Sequence, residues 1–220
     1  MLKETEVMKR AKKNIIFRAF RRIWRIFFPM LSHEKQVQRD RQRDYKYLTF
    51  HGVETEPGYV TLYGNPIIHK HPQSRIVIGN GVTLCSDSNY NFAGVNHPTI
   101  LATTTPDAEI IIHDGAKISG CSIVAEKRIE IGNNAFLGAN SNVYDNDFHP
   151  IDADARIADV RGLSAPVTIG NKCWLASNVT VLKGVTIGDE AVVGAMSLVT
   201  KDIPAKVIAG GVPAKVIRKM

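Results

Sequence analysis

The stretch from Ile169 to Pro204 decides the fold. Divided into sixes it reads IGNKCW, LASNVT, VLKGVT, IGDEAV, VGAMSL, VTKDIP. Every block opens on an aliphatic residue: Ile169, Leu175, Val181, Ile187, Val193, Val199. The fifth position is small or aliphatic: Cys173, Val179, Val185, Ala191, Ser197, Ile203. An α-helix cannot carry this pattern, because six residues turn it by about 600° and leave successive marks about 120° apart. One long strand is excluded by glycines at 170, 184, 188 and 194. Short flats joined by turns satisfy both facts. Each hexad is then one side of a three-sided coil, and its first residue points into a shared core. The expectation is an all-β chain, a parallel solenoid of hexapeptides.

The same spacing extends outward. Ile78-Gly79 and Leu84 begin it, and Ile112, Ile118 and Val124 continue it. Ile131, Leu137 and Val143 follow after a step of seven, which predicts a one-residue bulge in one turn. Two stretches break the register, about 86–108 and 144–168, and both are predicted to leave the coil as loops. Long excursions on a rigid scaffold are where functional residues concentrate. Tyr47 to His71 holds strand-like runs (YLTF, YVTLYG, PIIHK) and reads as an irregular first coil. After Pro204, a Gly-Gly-Val-Pro turn leads to a short basic tail. The predicted division is an N-terminal segment over 1–46 and a β-helix over 47–220.

Charge separates these parts. Of 28 basic and 21 acidic residues, residues 1–46 hold 14 and 5, a net of +9. The remainder holds 14 and 16 (28 less 14, 21 less 5), a net of −2. The basic character therefore belongs to the N-terminal segment. Within it, Ile16, Phe20, Ile23 and Phe27 share one helical face, and Arg18, Arg21, Arg22 and Arg25 lie largely opposite. This predicts a basic amphipathic helix over 8–28, stopped by Pro29. Arginine recurs too often for a membrane span, and no uncharged apolar core marks a secretory signal. Three roles fit such a helix: peripheral contact with an anionic membrane, packing on the solenoid or a neighbouring subunit, and nucleic-acid binding. The absence of any other nucleic-acid motif disfavours the last, so no nucleic acid is expected as a partner. Three widely spaced cysteines, Cys85, Cys121 and Cys173, form no CxxC. They read as buried apolar side chains in a reducing compartment. The expected location is the cytoplasm, with the inner face of the membrane in reach of residues 8–28.

Two segments carry a family likeness: IGNNAFLGANSNVYDNDFHPID, and APVTIGNKCWLASNVTVLKGVTIGDEAVVGAMSLVTKDIPAKVIAGGVPAKVIR. Over residues 110–218 the chain resembles the left-handed β-helix hexapeptide-repeat acyltransferases. It looks most like the galactoside/maltose acetyltransferase branch and the O-acetyltransferases of bacterial surface polysaccharides. The resemblance implies a left-handed parallel β-helix that uses acetyl-CoA as co-substrate and acetylates a hydroxyl of a sugar or glycan. It also implies a homotrimer with sites shared between neighbours.

The resemblance makes His149, in NDFHP, the general base that deprotonates the acceptor hydroxyl. Imidazole suits that task because its pKa lies near the operating pH. Direct transfer needs no covalent enzyme intermediate. Asp145 and Asp147 are the near candidates to orient His149, and Asn146 is a weaker one that could also meet the acceptor. The family's acid and asparagine one coil earlier are not reproduced: GCSIVAEKRIEIG has Ala125 and Glu126 there. His97, in VNHPT, is a candidate acceptor contact or a structural loop residue. For the donor, Ser177, Gly194 and Ala195 match the small rim positions and Trp174 the thioester end. Thr200 and Lys201 match the family's TK pair, and Lys215 and Arg218 match the tail that meets nucleotide phosphates. Met196 departs from a common glycine.

Two other functions share this fold. A zinc hydratase of the gamma carbonic anhydrase type needs three converging nitrogen ligands. His113 and His149 are 36 residues apart, nominally two coils, but that class also has a pair of histidines five residues apart, and here position 118 is Ile and 154 is Asp. No metal is therefore expected. A non-catalytic scaffold held at a membrane by its N-terminal helix is the other alternative.

Overall fold

The computed structural model describes residues 38–220. The predicted helix at 8–28 lies outside the described residues. Among those described, short strands form three sheets that the chain visits in rotation. The first sheet contains Arg75–Ile78, Glu109–Ile112, Arg128–Ile131, Val167–Ile169 and Thr186–Ile187. The second contains Thr83–Cys85, Lys117–Ser119, Phe136–Leu137, Trp174–Leu175 and Val192–Val193. The third contains Ile67–Lys70, Ile100–Thr103, Ser122–Ala125, Asn142–Tyr144, Thr180–Val181 and Leu198–Val199. Pairing between strands is parallel, except for a closing hairpin of Val207–Gly211 and Ala214–Lys219. The chain is a parallel β-helix of three flats.

The register explains the period of six. Ile131, Ile169 and Ile187 stack in the first sheet, Leu137, Leu175 and Val193 in the second, and Val143, Val181 and Val199 in the third. None of these nine is more than 2% exposed, so each hexad contributes its opening side chain to one axial core. Full burial stabilises by about 1.5–3 kcal/mol per aliphatic side chain. The fifth positions complete the core, from Cys173 and Val179 to Ile203. Cys85, Cys121 and Cys173 are all free thiols and buried, and desolvation pushes the Cys121 thiol up to about 12.

The corners turn through left-handed backbone. Lys172, Glu190 and Lys206 take φ of 55°, 60° and 57° at the edge between first and second sheets. Asn140, Asn178 and Met196 take 62°, 59° and 61° between second and third. That conformation costs about 1–2 kcal/mol in a residue with a Cβ. Hydrogen bonds to the coil before offset it: Lys172 N–H donates to Asn133 O at 2.8 Å and Met196 N–H to Ser177 O at 3.0 Å. The common glycine at position 196 thus reflects backbone geometry as well as room.

Four expectations change. The mark in the third sheet is Ile123, fully buried, because the corner at Gly120 is one residue short. Val124 pairs with Tyr144 and faces away from the core axis. The missing residue returns at the next corner, where Ile123 to Ile131 takes eight. Second, YLTF is not a strand. Residues 38–50 are helical, Leu48 is buried in the core, and Asp44 accepts the Leu62 N–H at 2.9 Å. The β-helix therefore begins beyond residue 50, and this helix packs on its first coil from residue 44 on. Third, Ile100–Thr103 is a regular flat, so the first excursion ends near residue 99. Fourth, the basic tail is the strand Ala214–Lys219, which closes an open sheet edge.

Candidate active site

The second excursion leaves the third sheet after Tyr144 and returns at Val167. Its first residue, Asp145, is completely buried. Its carboxylate accepts the backbone N–H groups of Glu126, Lys127 and Arg128 at 2.7, 2.7 and 2.8 Å. These are the amides of the eight-residue step in the coil below. A turn that bulges out of register has no carbonyl ladder beneath it, and a charged acceptor supplies the missing partners. Asp145 is therefore held by the turn below, and no bond joins it to His149. Asn146 is equally occupied. Its amide donates to Val124 O and Asp145 Oδ1, and its Oδ1 accepts the Phe148 N–H at 2.9 Å. At 4% exposure Asn146 fastens the base of the loop.

Asp147 and His149 stand above this base. Asp147 N–H donates to Leu163 O at 3.0 Å, and its carboxylate takes Lys183 Nζ at 2.5 Å. Phe148 sits at φ 58° with its ring edge-on to Tyr144. His149 N–H donates to Asp147 O at 2.6 Å. The returning strand of the loop passes close: a Cβ on Gly162 would lie 2.9 Å from His149 O, so a side chain there would displace the His149 backbone. The His149 side chain is exposed, and no hydrogen bond reaches its ring from the described residues. Asp152 caps the short helix Ala153–Ile157, which leaves Ile151, Ile157 and Leu163 on the outside of the loop.

The remaining predicted residues fall into two groups. Thr200 and Lys201 follow Leu198–Val199 and so lie on the same third-to-first edge as His149. Ser177, Gly194 and Ala195 line the opposite edge of the third sheet, and Trp174, half exposed, stands on the second sheet between Phe136 and Val192. Lys215 and Arg218 lie on the closing strand of that second sheet. His97 belongs to the first excursion, on the second-to-third edge, with Nδ1 2.8 Å from Pro98 O. Its loop is tied down through Asn140, which accepts Asn96 N–H at 3.0 Å and donates to Gly94 O at 2.9 Å. A flat of about four residues at about 3.3 Å each keeps the two edges more than about 10 Å apart. One chain therefore does not bring His149 together with Trp174, Ser177 and Gly194.

Some residues near His149 carried no repeat signature. Glu126 and Arg161 pair at 3.7 Å beside a cleft of about 460 Å³ that reaches Gly162 and Ser164. Burial raises the Glu126 carboxyl, and the charge of Arg161 opposes that rise. Lys183 sits in an ordinary hexad and shows its partner only in three dimensions. His113, compared above with His149, donates Nε2–H to Glu130 Oε1, 2.7 Å away, on the first sheet. That bond, with Arg128, holds Glu130 below the usual carboxylate range. His113 and His149 stand on different edges, and among the described residues no three His, Cys, Asp or Glu side chains converge.

Two family profiles match the chain. "Bacterial transferase hexapeptide (six repeats)" covers residues 166–201, and "Hexapeptide repeat of succinyl-transferase" covers 128–143. The galactoside O-acetyltransferase of Escherichia coli (strain K12) is 42% identical over 99 residues, 45% of this chain and 48% of that protein. The putative colanic acid biosynthesis acetyltransferase WcaF of the same strain is 57% identical over 56 residues, 26% of this chain and 31% of its own. Against the first curated relatives, the matched part spans about half their length. An N-acyltransferase from Bacillus cereus, solved with coenzyme A, superposes with a TM-score of 0.62 at 19% identity over 80% of this chain and 88% of that one. Repeat, sheets and likeness agree: the chain carries transferase-type hexapeptide repeats over 128–143 and 166–201, and its coil is a left-handed parallel β-helix.

Proposed function

We propose that this chain transfers an acetyl group from acetyl-CoA to a sugar hydroxyl, with His149 as general base. The observation that carries this reading is the state of His149. Its backbone is fixed on both sides, its ring is exposed, and no described residue occupies it. A base must have a free nitrogen to take a proton, and a fixed backbone lowers the cost of aiming it. The unprotonated ring nitrogen takes the hydroxyl proton as the hydroxyl oxygen attacks the thioester carbonyl. The tetrahedral adduct then expels the thiolate, the C–S bond breaks, and the imidazolium returns its proton to sulfur. The likeness to galactoside O-acetyltransferase over 99 residues supports the sugar acceptor.

The donor would lie along the second-to-third edge. Gly194 and Ala195 carry at most a methyl, and a Cβ on Gly194 would meet nothing nearer than 3.6 Å. An extended pantetheine needs such a low rim. Trp174 would pack at the thioester end, and Lys215 and Arg218 would meet phosphates. Thr200 and Lys201, on the edge of His149, would reach the donor from a neighbouring copy. Because the two halves lie on separate edges, a complete site takes one edge from each of two copies. A homotrimer supplies three such grooves. Membrane contact through residues 8–28 would suit a lipid-linked acceptor.

The test is thiol release from acetyl-CoA with a panel of glycosides, polysaccharide fragments and nucleotide sugars, for wild type and His149→Ala. Hydroxyl-dependent release that His149→Ala loses is the expected result. A fully active His149→Ala protein, or a fully active monomer by light scattering, would overturn the corresponding part.

A further inference from the structure

The corner that follows Val181 grips the excursion twice. Lys183 Nζ holds the outgoing strand through Asp147, and Gly184 N–H donates to Ala165 O at 3.0 Å on the returning strand. The Lys183–Asp147 pair is about 70% buried on both sides, with 30% and 28% of the side chains exposed. Asp147 is also the hub of the turn. Its N–H is bound to Leu163 O, and its carbonyl accepts the His149 N–H. Between them Phe148 is held at φ 58°. A phenylalanine stays in that region only when its neighbours over-determine it. Asn146 Oδ1 holds the Phe148 amide from one side, and Asp147 fixes the chain on the other.

We propose that Lys183 is a positioning residue for His149 and acts through Asp147, on the reading of His149 as the base. The carboxylate of Asp147 is then an anchor, not a direct partner of the imidazole. Losing the ammonium frees Asp147, lets residue 148 relax out of the left-handed region, and swings His149 away from the acceptor hydroxyl. A displacement on the scale of 1 Å at a reacting group costs up to about 10²-fold in rate.

The test uses the full chain with the acceptor found active, and compares Lys183→Met, Lys183→Arg, Asp147→Asn and the Lys183→Met/Asp147→Asn double variant. Lys183→Met and Asp147→Asn should each lower kcat about tenfold and leave the acetyl-CoA KM within about twofold. The double variant should fall no further, because both changes remove one interaction. Lys183→Arg should recover most of the rate. Hydrogen exchange at residues 147–149 should quicken in both single variants. Additive losses would overturn the proposal, as would an inert Lys183→Met beside a crippled Asp147→Asn, which would put Asp147 on the imidazole directly. An unchanged kcat in His149→Ala would remove the base reading and this role with it. An inactive His149→Ala beside an unaffected Lys183→Met would remove this role alone.

Discussion

The hexads from Ile169 to Ile203 and the loop from Asp145 to Pro166 lie side by side in sequence and obey opposite building rules. In the hexads most backbone hydrogen bonds run to the coil above or below, and the buried side chains are almost all apolar. Ser197 is the one buried polar side chain there, and its hydroxyl donates to Gly194 O within its own corner. The loop breaks the stacking, so its backbone groups lose those partners. Two side chains within 5% of complete burial, Asp145 and Asn146, replace them. A third group, the largely buried Lys183–Asp147 pair, closes the loop from the next coil. The regular region spends its polar residues outside, on faces open to a ligand or a neighbour. The interrupted region needs its polar residues inside, and it leaves the His149 ring outside.

That contrast can be broken at several points. The largest effect is expected at the loop's exposed ring: His149→Ala should lower kcat/KM by about 10²–10⁴-fold and leave the circular dichroism spectrum unchanged. Asp145→Ala should act on folding. It strands three backbone amides that now meet a charged acceptor, so urea unfolding should show a loss of about 3 kcal/mol or more. Leu175→Ala in the hexads should cost a similar 2–5 kcal/mol by an unrelated route, an unfilled volume in the axial core. Equal sensitivity of both variants to added salt would argue against the charged cap.

A smaller effect concerns Cys121, whose thiol burial lifts from 9.0 to about 12. The folded state binds this proton more tightly than the unfolded chain does. The stabilisation is complete below the unfolded value and is lost as pH rises from about 9 towards 12. The unfolding free energy of the wild type should therefore fall more steeply across that window than that of Cys121→Ala. The smallest effect belongs to the ion-pair ladder on the outer face of the first sheet, where Glu109 meets Arg75 and Arg128. Glu109→Gln should cost at most about 1 kcal/mol, and less in high salt.

The hexads were legible because a period of six has one physical cause, and six repeats of it leave no competing element. His149 was legible only through likeness, since NDFHP taken alone names no partner. The third-sheet mark at Ile123 was not legible. A five-residue corner followed by an eight-residue step gives the same total as six and seven from the neighbouring marks, and both Ile123 and Val124 are apolar. YLTF reads as a strand because β-branched and aromatic residues favour strands, yet they also serve as the last turn of a helix. Tertiary burial of Leu48 decides between the two.

The roles of the three polar residues before His149 were open in the sequence for a related reason. Asp145, Asn146 and Asp147 are consecutive and chemically alike, and each could reach the imidazole on paper. Folding sends them to different partners: a turn one coil below, the base of the loop, and a lysine one coil above. Periodicity is local along the chain, so the sequence by itself determined the coil, its core and the place where the loop leaves it. Hydrogen-bond partners on successive coils are set by stacking, which no local pattern records. Tertiary structure therefore decided that Asp145 caps a turn, that Lys183 holds Asp147, and that the two halves of the proposed site lie on different edges of one chain.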